Sequence, residues 1–305
     1  MQLEMNELYK SIAIGTLFSF VILLTLFEMY FSYAHDRKHY HGRDTLSNVF
    51  LMAAAFVINI ATKSATFMLL DYVYRHYRLF QIADTYLYWL VLILAQDLLY
   101  WLLHYTGHFV RFFWAMHVTH HSSPYFNLTT GFRSTVFEPL YRVFFYLPLA
   151  FMGFNAFDIL FAYLVTQIYG NLVHTQTIGK MHPLFEYIFV TPSHHRVHHA
   201  SNLRYLDKNM GMVLILWDRL FGTFQEESQH EEIIYGLTKQ PENTGAVNIV
   251  FHEFIALYHD VKKADKFSDK LKYVFYPPGW SHDGTTQITR VMRINASTGS
   301  NSDLV

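Results

Sequence analysis

The sequence predicts an all-α integral membrane helical bundle with a histidine-rich helical cap. Three observations carry that prediction. The 305 residues are 52% hydrophobic but only 15% charged, where soluble domains run nearer a quarter charged. The apolar residues gather into a few long runs. The 19 histidines, unaccompanied by any cysteine, concentrate where those runs end. A mean hydropathy of +0.13 suits a chain partly in bilayer and partly in water.

The first run, residues 11–34, has Glu28 as its single charge; the second, 46–70, has Lys63; the third, 86–103, has Asp97. A spanning helix needs about 20 mostly apolar residues, and all three approach or exceed that length. The acidic leader (Glu4, Glu7) and the long apolar stretch read as a retained anchor rather than a signal peptide. Residues 136–173 form a fourth apolar region, broken near Gly153–Asn155, which reads as a hairpin of two shorter helices. The expected division is anchor helices at 1–80, a catalytic unit at 81–225, a charged C-terminal region at 226–286 and a disordered polar tail at 287–305.

Orientation follows from basic residues beside the runs. Arg37, Lys38 and Arg43 follow the first run, against Lys10 before it, which puts that loop on the cytoplasmic side. Arg75 and Arg78 then fall outside, a mild conflict with the rule. Counting forward, both histidine-rich regions come to the cytoplasmic face, and so does the region after 225. The protein is therefore expected to be multi-pass, in a bacterial inner membrane or the endoplasmic reticulum.

Eleven histidines lie between His104 and His199, eight of them in three spaced groups. These are His104 and His108 (HxxxH), then His117, His120 and His121 (HxxHH), then His195, His198 and His199 with the same spacing. On a helix, residues three and four apart share a face, so each group can aim two or three imidazoles at one point. A neutral imidazole offers one lone pair to a metal and one N–H to an outer acceptor. Eight imidazoles exceed what one ion takes, and two metals sharing them is the natural reading. Imidazole suits zinc, copper, iron and nickel alike, so spacing does not name the element.

Other chemistries drop out. A net charge of −1 gives no basic field for nucleic acid. Without cysteine there are no disulfides, thiolate zinc sites or iron–sulfur clusters. His252-Glu253 lacks the second histidine of HExxH, and Glu227-Ser-Gln-His230 is the one Glu-x-x-His, so a carboxylate-bridged di-iron bundle is disfavoured. Bis-histidine haem would place single histidines inside different spans, not in groups at their ends.

The boxes and their surroundings resemble the fatty acid hydroxylase/sterol desaturase superfamily of membrane di-iron enzymes. The likeness runs from about residue 85 to 285. DLLYWLLH at 97–104, FWAMHVTHHSS at 113–123, NLTTGFR at 127–133, TPSHHRVHH at 191–199 and DKNMGMVLILWDRLFGTF at 207–224 resemble its alkylglycerol monooxygenase-like branch. The resemblance implies two iron ions that activate O2 against a lipid C–H bond. It implies as ligands the eight box histidines together with His174, which matches a further family histidine. Phe109 follows His108 where the tetrahydrobiopterin-dependent animal members have Glu, a departure that bears on that cofactor and not on the iron.

The functional expectation is a membrane oxygenase that hydroxylates an ether lipid, acyl chain or sterol-like substrate. A desaturase on the same centre, and a non-redox histidine-rich transporter or sensor, are the alternatives. Electrons need an external donor, since neither a dinucleotide fingerprint nor a haem-domain signature is present. Asp97, seven residues before His104 on the same helical face, is the candidate for catalytic support, accepting an imidazole N–H. Asp218 and Arg219 read as a local ion pair closing a turn, and Lys63 as a partner for Asp97 or a snorkelling cation. Tyr100, Trp101, Phe112, Phe113 and Trp114 could line an apolar approach or form an interfacial belt. His182 and His194 stand equally as ligands or as structural residues.

Overall fold

The computed structural model describes residues 2–83, 85–133 and 135–298, with side chains described from residue 15 onward except Phe18. Described residues form helices and loops with two isolated β-bridges and no strand. Three long helices come first: α1 (Gln2–Ala34), α2 (Gly42–Tyr77) and α3 (Tyr86–Phe109). Gly15–Ala34 and the whole of α2 and α3 are long and apolar enough to cross a membrane, yet their most apolar windows are only 24%, 17% and 33% buried. Phe20, Leu23, Phe27, Phe56, Ile60 and Leu90 point outward, the arrangement expected of a surface solvated by lipid. At about 1.5 Å per residue the 36 residues of α2 exceed a hydrocarbon core of about 30 Å. Near its start Asp44 and Asn48 bind the buried guanidinium of Arg133.

A short α4 (Arg111–His121) turns back on α3 through the extended Val110, and α5 (Leu128–Gly131) follows. The apolar region beyond is a hairpin, α6 (Glu138–Met152) and α7 (Ala156–Leu172). It breaks at Gly153 because that residue takes φ 108°, and a Cβ there would lie 2.3 Å from the Phe80 carbonyl oxygen. The Leu79 N–H donates to Phe151 O at 2.7 Å, so the hairpin turn sits beside the α2–α3 loop. Leu70, Tyr88, Leu92, Val143, Leu149 and Ile159 join α2, α3, α6 and α7 in one core. With that end of the bundle closed by the turns, the helix ends bearing histidine meet at the other.

There the chain builds α8 (Pro183–Ile188), α9 (Pro192–His198) and α10 (Leu216–Phe221), then α11 (Ala246–Lys263), α12 (Phe267–Phe275) and α13 (Thr289–Thr298). α11 lies along α4, held by Arg111 to Glu253 at 2.9 Å and Asp260 at 2.7 Å. The tail expected to be disordered from 287 is helical over α13, because the Arg293 guanidinium ties it to the carbonyls of Leu203 and Leu206. Residues 299–305 of that tail lie outside the described residues.

The single charges of the three long helices meet different surroundings. Glu28 is buried; it accepts from the Leu128 N–H and the Thr177 hydroxyl, both at 3.0 Å, and from Tyr40 and Thr175. Lys63 is exposed on the outer face of α2 and forms no ion pair with Asp97. Asp97 accepts from backbone N–H groups rather than from an imidazole, as set out below.

Candidate metal centre

Four segments bring nine imidazoles together. α3 carries His104 and His108 one turn apart at its end, and α4 carries His117, His120 and His121. His174 follows the end of α7. α9 begins with a capping box, the Thr191 side chain accepting from the His194 N–H, with Pro192 in its first turn. That start holds His195, His198 and His199 in a fixed register.

The nine divide into two groups: His104, His108, His117, His121 and His198 in one, His120, His174, His195 and His199 in the other. Within each, the ligand nitrogens all lie within 4.8 Å of one another. Spacing suggested that each box aims at one point. Instead the second and third boxes straddle the two groups. In both, the residues four apart stay together (His117 with His121, His195 with His199) while the remaining one (His120, His198) faces the neighbouring site. The groups touch: His121 stacks on His199 with centroids 4.5 Å apart.

Outer nitrogens fix the tautomers. Nδ1 of His104 lies 2.8 Å from Met210 O, that of His198 2.9 Å from Lys208 O, that of His120 3.1 Å from Arg133 O and that of His174 2.7 Å from Gly170 O. Nδ1 of His108 is 3.3 Å from the Asp207 carboxylate. Only a protonated Nδ1 can donate to these oxygens, so Nε2 carries the lone pair, and it faces inward. Nε2 of His104 and of His121 lie 3.0 and 3.1 Å from that of His117. Nε2 of His195 and of His199 lie 2.9 and 3.2 Å from that of His174. Lone pairs this close repel unless they share an ion; donors at about 2.1 Å from one ion come to roughly 3 Å from each other. The buried Nε2 atoms of His108 and His198 have no hydrogen-bond partner, a cost a metal would remove.

Electrostatics agree. Burial pushes the imidazoles beyond α3 well below their usual range: His117, His121, His174, His195, His198 and His199, with His120 lowered to about 4. They stay neutral at pH 7, the form that binds metal. Phe126 covers the second group, stacked against His174 at 5.5 Å and itself covered by Tyr235 at 5.0 Å. Trp114 lies against His108 and His121.

The remaining candidates fall outside both groups. His194 accepts from the Thr191 N–H through Nδ1 and reaches Glu186 through Nε2 at 3.0 Å. His182 caps α8, accepting from the Leu184 N–H. Asp97 accepts from the Val213 and Leu214 N–H groups, both at 3.0 Å, and from Trp217 Nε1 at 2.9 Å. Asp218 does not pair with Arg219. It accepts from the Met210 and Gly211 N–H groups and from Trp101 Nε1, while the Arg219 guanidinium lies 3.8 Å over the Phe224 ring. Sequence reasoning passed over Asp207 and Glu138. Glu138 lines a cleft between α3 and α6 with Tyr100, Leu103, Gly107 and Tyr141, and that cleft reaches His104 and His117. Glu138 had one usable signal, a carboxylate opening an apolar helix.

The fatty acid hydroxylase family model matches residues 89–223. Human alkylglycerol monooxygenase is 33% identical over 265 residues, 86% of this chain and 58% of that protein. Its counterpart from Caenorhabditis elegans is 35% identical over 208 residues, covering 63% and 39%. An ornithine lipid hydroxylase from Rhizobium tropici is 31% identical over 149 residues, covering 48% and 44%. The chain thus spans little more than half the length of the human relative. No solved structure gives a significant match. The matched segment contains all nine clustered histidines, so the chain carries a fatty acid hydroxylase family domain.

Proposed function

We propose that this protein is a membrane-bound oxygenase that uses O2 to hydroxylate a C–H bond of a lipid, on two iron ions held by the nine histidines. One observation carries the reading: two adjoining all-imidazole sites at one end of a bundle whose outer faces are apolar. Iron bound there would supply O2 activation and C–H oxidation, chemistry that no side chain provides alone. His104, His108, His117, His121 and His198 would hold one ion, and His120, His174, His195 and His199 the other.

The chain's own groups orient and shield. Protons stay on Nδ1 of His104, His198, His120 and His174, donated to backbone carbonyls, so each lone pair remains aimed inward. Phe126, Tyr235 and Trp114 exclude water from the sites' outer sides. Exposed Leu102, Leu140 and Phe144 give α3 and α6, the helices flanking the cleft at His104 and His117, an apolar outer surface for a lipid chain.

The substrate is an ether lipid, acyl chain or sterol-like lipid; relatives named for alkylglycerol and ornithine lipid support that class. The sites face the cytoplasm, by the basic residues of the first loop. Electrons arrive from an external donor. Tetrahydrobiopterin is one candidate, against which Phe109 stands. Residues 81–225 form the catalytic unit, anchored by 1–80 and extended by 226–286. Comparative lipidomics of cells with and without the protein tests the reading. A hydroxylated or oxidatively cleaved lipid is expected; an unchanged lipid profile with active protein present would overturn it.

A further inference from the structure

Residues 207–214 run past the five-histidine site without supplying a ligand, yet two fully buried carboxylates are spent on their backbone. Asp218 accepts from the Met210 N–H at 2.7 Å and the Gly211 N–H at 2.8 Å. Asp97, on α3, accepts from the Val213 and Leu214 N–H groups. Neither carboxylate touches an imidazole. Asn209, also fully buried, bonds the carbonyls of His194 and Gln225 at 3.0 and 2.8 Å. Asp207 and Asn209 both sit in the left-handed region, at φ 53° and 57°. Strain of this kind persists only where surrounding structure enforces it, and it gathers at functional sites.

The enforced shape has one readable output. Between them, Asp207, Lys208 and Met210 present a carboxylate and two carbonyls to Nδ1 of His108, His198 and His104. Three of the five histidines of one site are therefore oriented by four consecutive residues. Among the described residues, no acceptor of that segment takes a hydrogen bond from an imidazole of the four-histidine site, whose outer acceptors are Gly170 O and Arg133 O.

We propose that Asp218 and Asp97 are positioning residues for the five-histidine site, acting at one remove. By fixing the amides of 210–214 they aim the 207–210 acceptors at three imidazoles, and so set the metal affinity of that site while leaving its neighbour alone. This rests on the two-metal reading above, though not on the hydroxylation it serves. Outer partners of metal ligands typically govern affinity by about 10–100-fold.

The test is ferrous iron titration of the purified full-length protein in lipid nanodiscs, counting ions bound per chain. Wild type should bind two. Asp218→Asn turns one acceptor oxygen into a donor facing an N–H, and should weaken one of the two ions by tenfold or more. Asp207→Asn, which alters a partly exposed group, should do likewise should Asp218→Asn fail to fold. Double variants identify the affected site. Combined with His195→Ala, Asp218→Asn or Asp207→Asn should weaken the single remaining ion; combined with His198→Ala, neither should cost anything further. Equal weakening of both ions, or none, overturns the positioning role while the two-metal reading survives. A wild type that binds no second ion overturns both.

Discussion

The two histidine groups share the second and third boxes, yet they are held by different means. In the four-histidine site the outer acceptors are near in sequence: Gly170 lies 4 residues from His174, and Arg133 lies 13 from His120. In the five-histidine site Lys208 is 10 residues from His198, but Met210 is 106 residues from His104 and Asp207 is 99 from His108. The first site is mostly set by local helix ends. The second takes its outer acceptors from residues 207–210, in a segment that Asp97 of α3 holds through the Val213 and Leu214 amides. Ligands encoded by one motif can thus acquire their geometry from unrelated parts of a chain.

The strongest break of that comparison is ligand removal. His198→Ala and His195→Ala should each reduce bound iron from two to one per chain and lower turnover at least a hundredfold. Loss of both ions in either variant would mean that the groups act as one unit, and the contrast would fall.

Acidification comes next. The buried imidazoles beyond α3 have depressed values in the folded protein, so the unfolded chain binds more protons below pH 6.5. Stability is then full above about 6.5 and is lost as pH falls toward 4, where His120 titrates. For His120 alone the shift corresponds to about 3 kcal/mol. Thermal unfolding of metal-free protein between pH 7.5 and 5 should show that fall, and a flat profile would contradict the buried neutral cluster.

A subtler probe separates the sites sterically. A Cβ at Gly131 would lie 2.4 Å from Asn171 Nδ2 and 3.1 Å from His174 Nδ1. Gly131→Ala should weaken iron at the four-histidine site several-fold and spare its neighbour, as seen in the same titration. Smallest of all, Gly107→Ala brings a methyl 3.4 Å from His117 Cγ, ordinary contact. It should shift affinity at the five-histidine site less than threefold; a larger change would mean α3 and α4 are packed more tightly than these distances indicate.

Much of this arrangement was legible in the residues. Long apolar runs gave the three long helices, and Gly153–Asn155 gave the hairpin break, because length and glycine act locally. The nine histidines declared themselves by spacing and resemblance. Their division did not, since a three- or four-residue step defines a face and not which of two adjoining points that face sees. Asp97 was singled out correctly as a buried carboxylate, but its partners lie 116 and 117 residues away on backbone N–H groups that carry no sequence signature. Glu28 hid for the same reason: what neutralises its cost is a set of hydroxyls and an amide from residues 40 to 177. The α13 helix was missed because a polar composition says little about a segment anchored by a single arginine.

The central claim is two metal sites of this composition, and anomalous scattering at the iron edge from iron-loaded protein tests it directly. The account predicts two peaks, one enclosed by His104, His108, His117, His121 and His198, the other by His120, His174, His195 and His199. A single peak, or an edge that reports zinc alone, would contradict it.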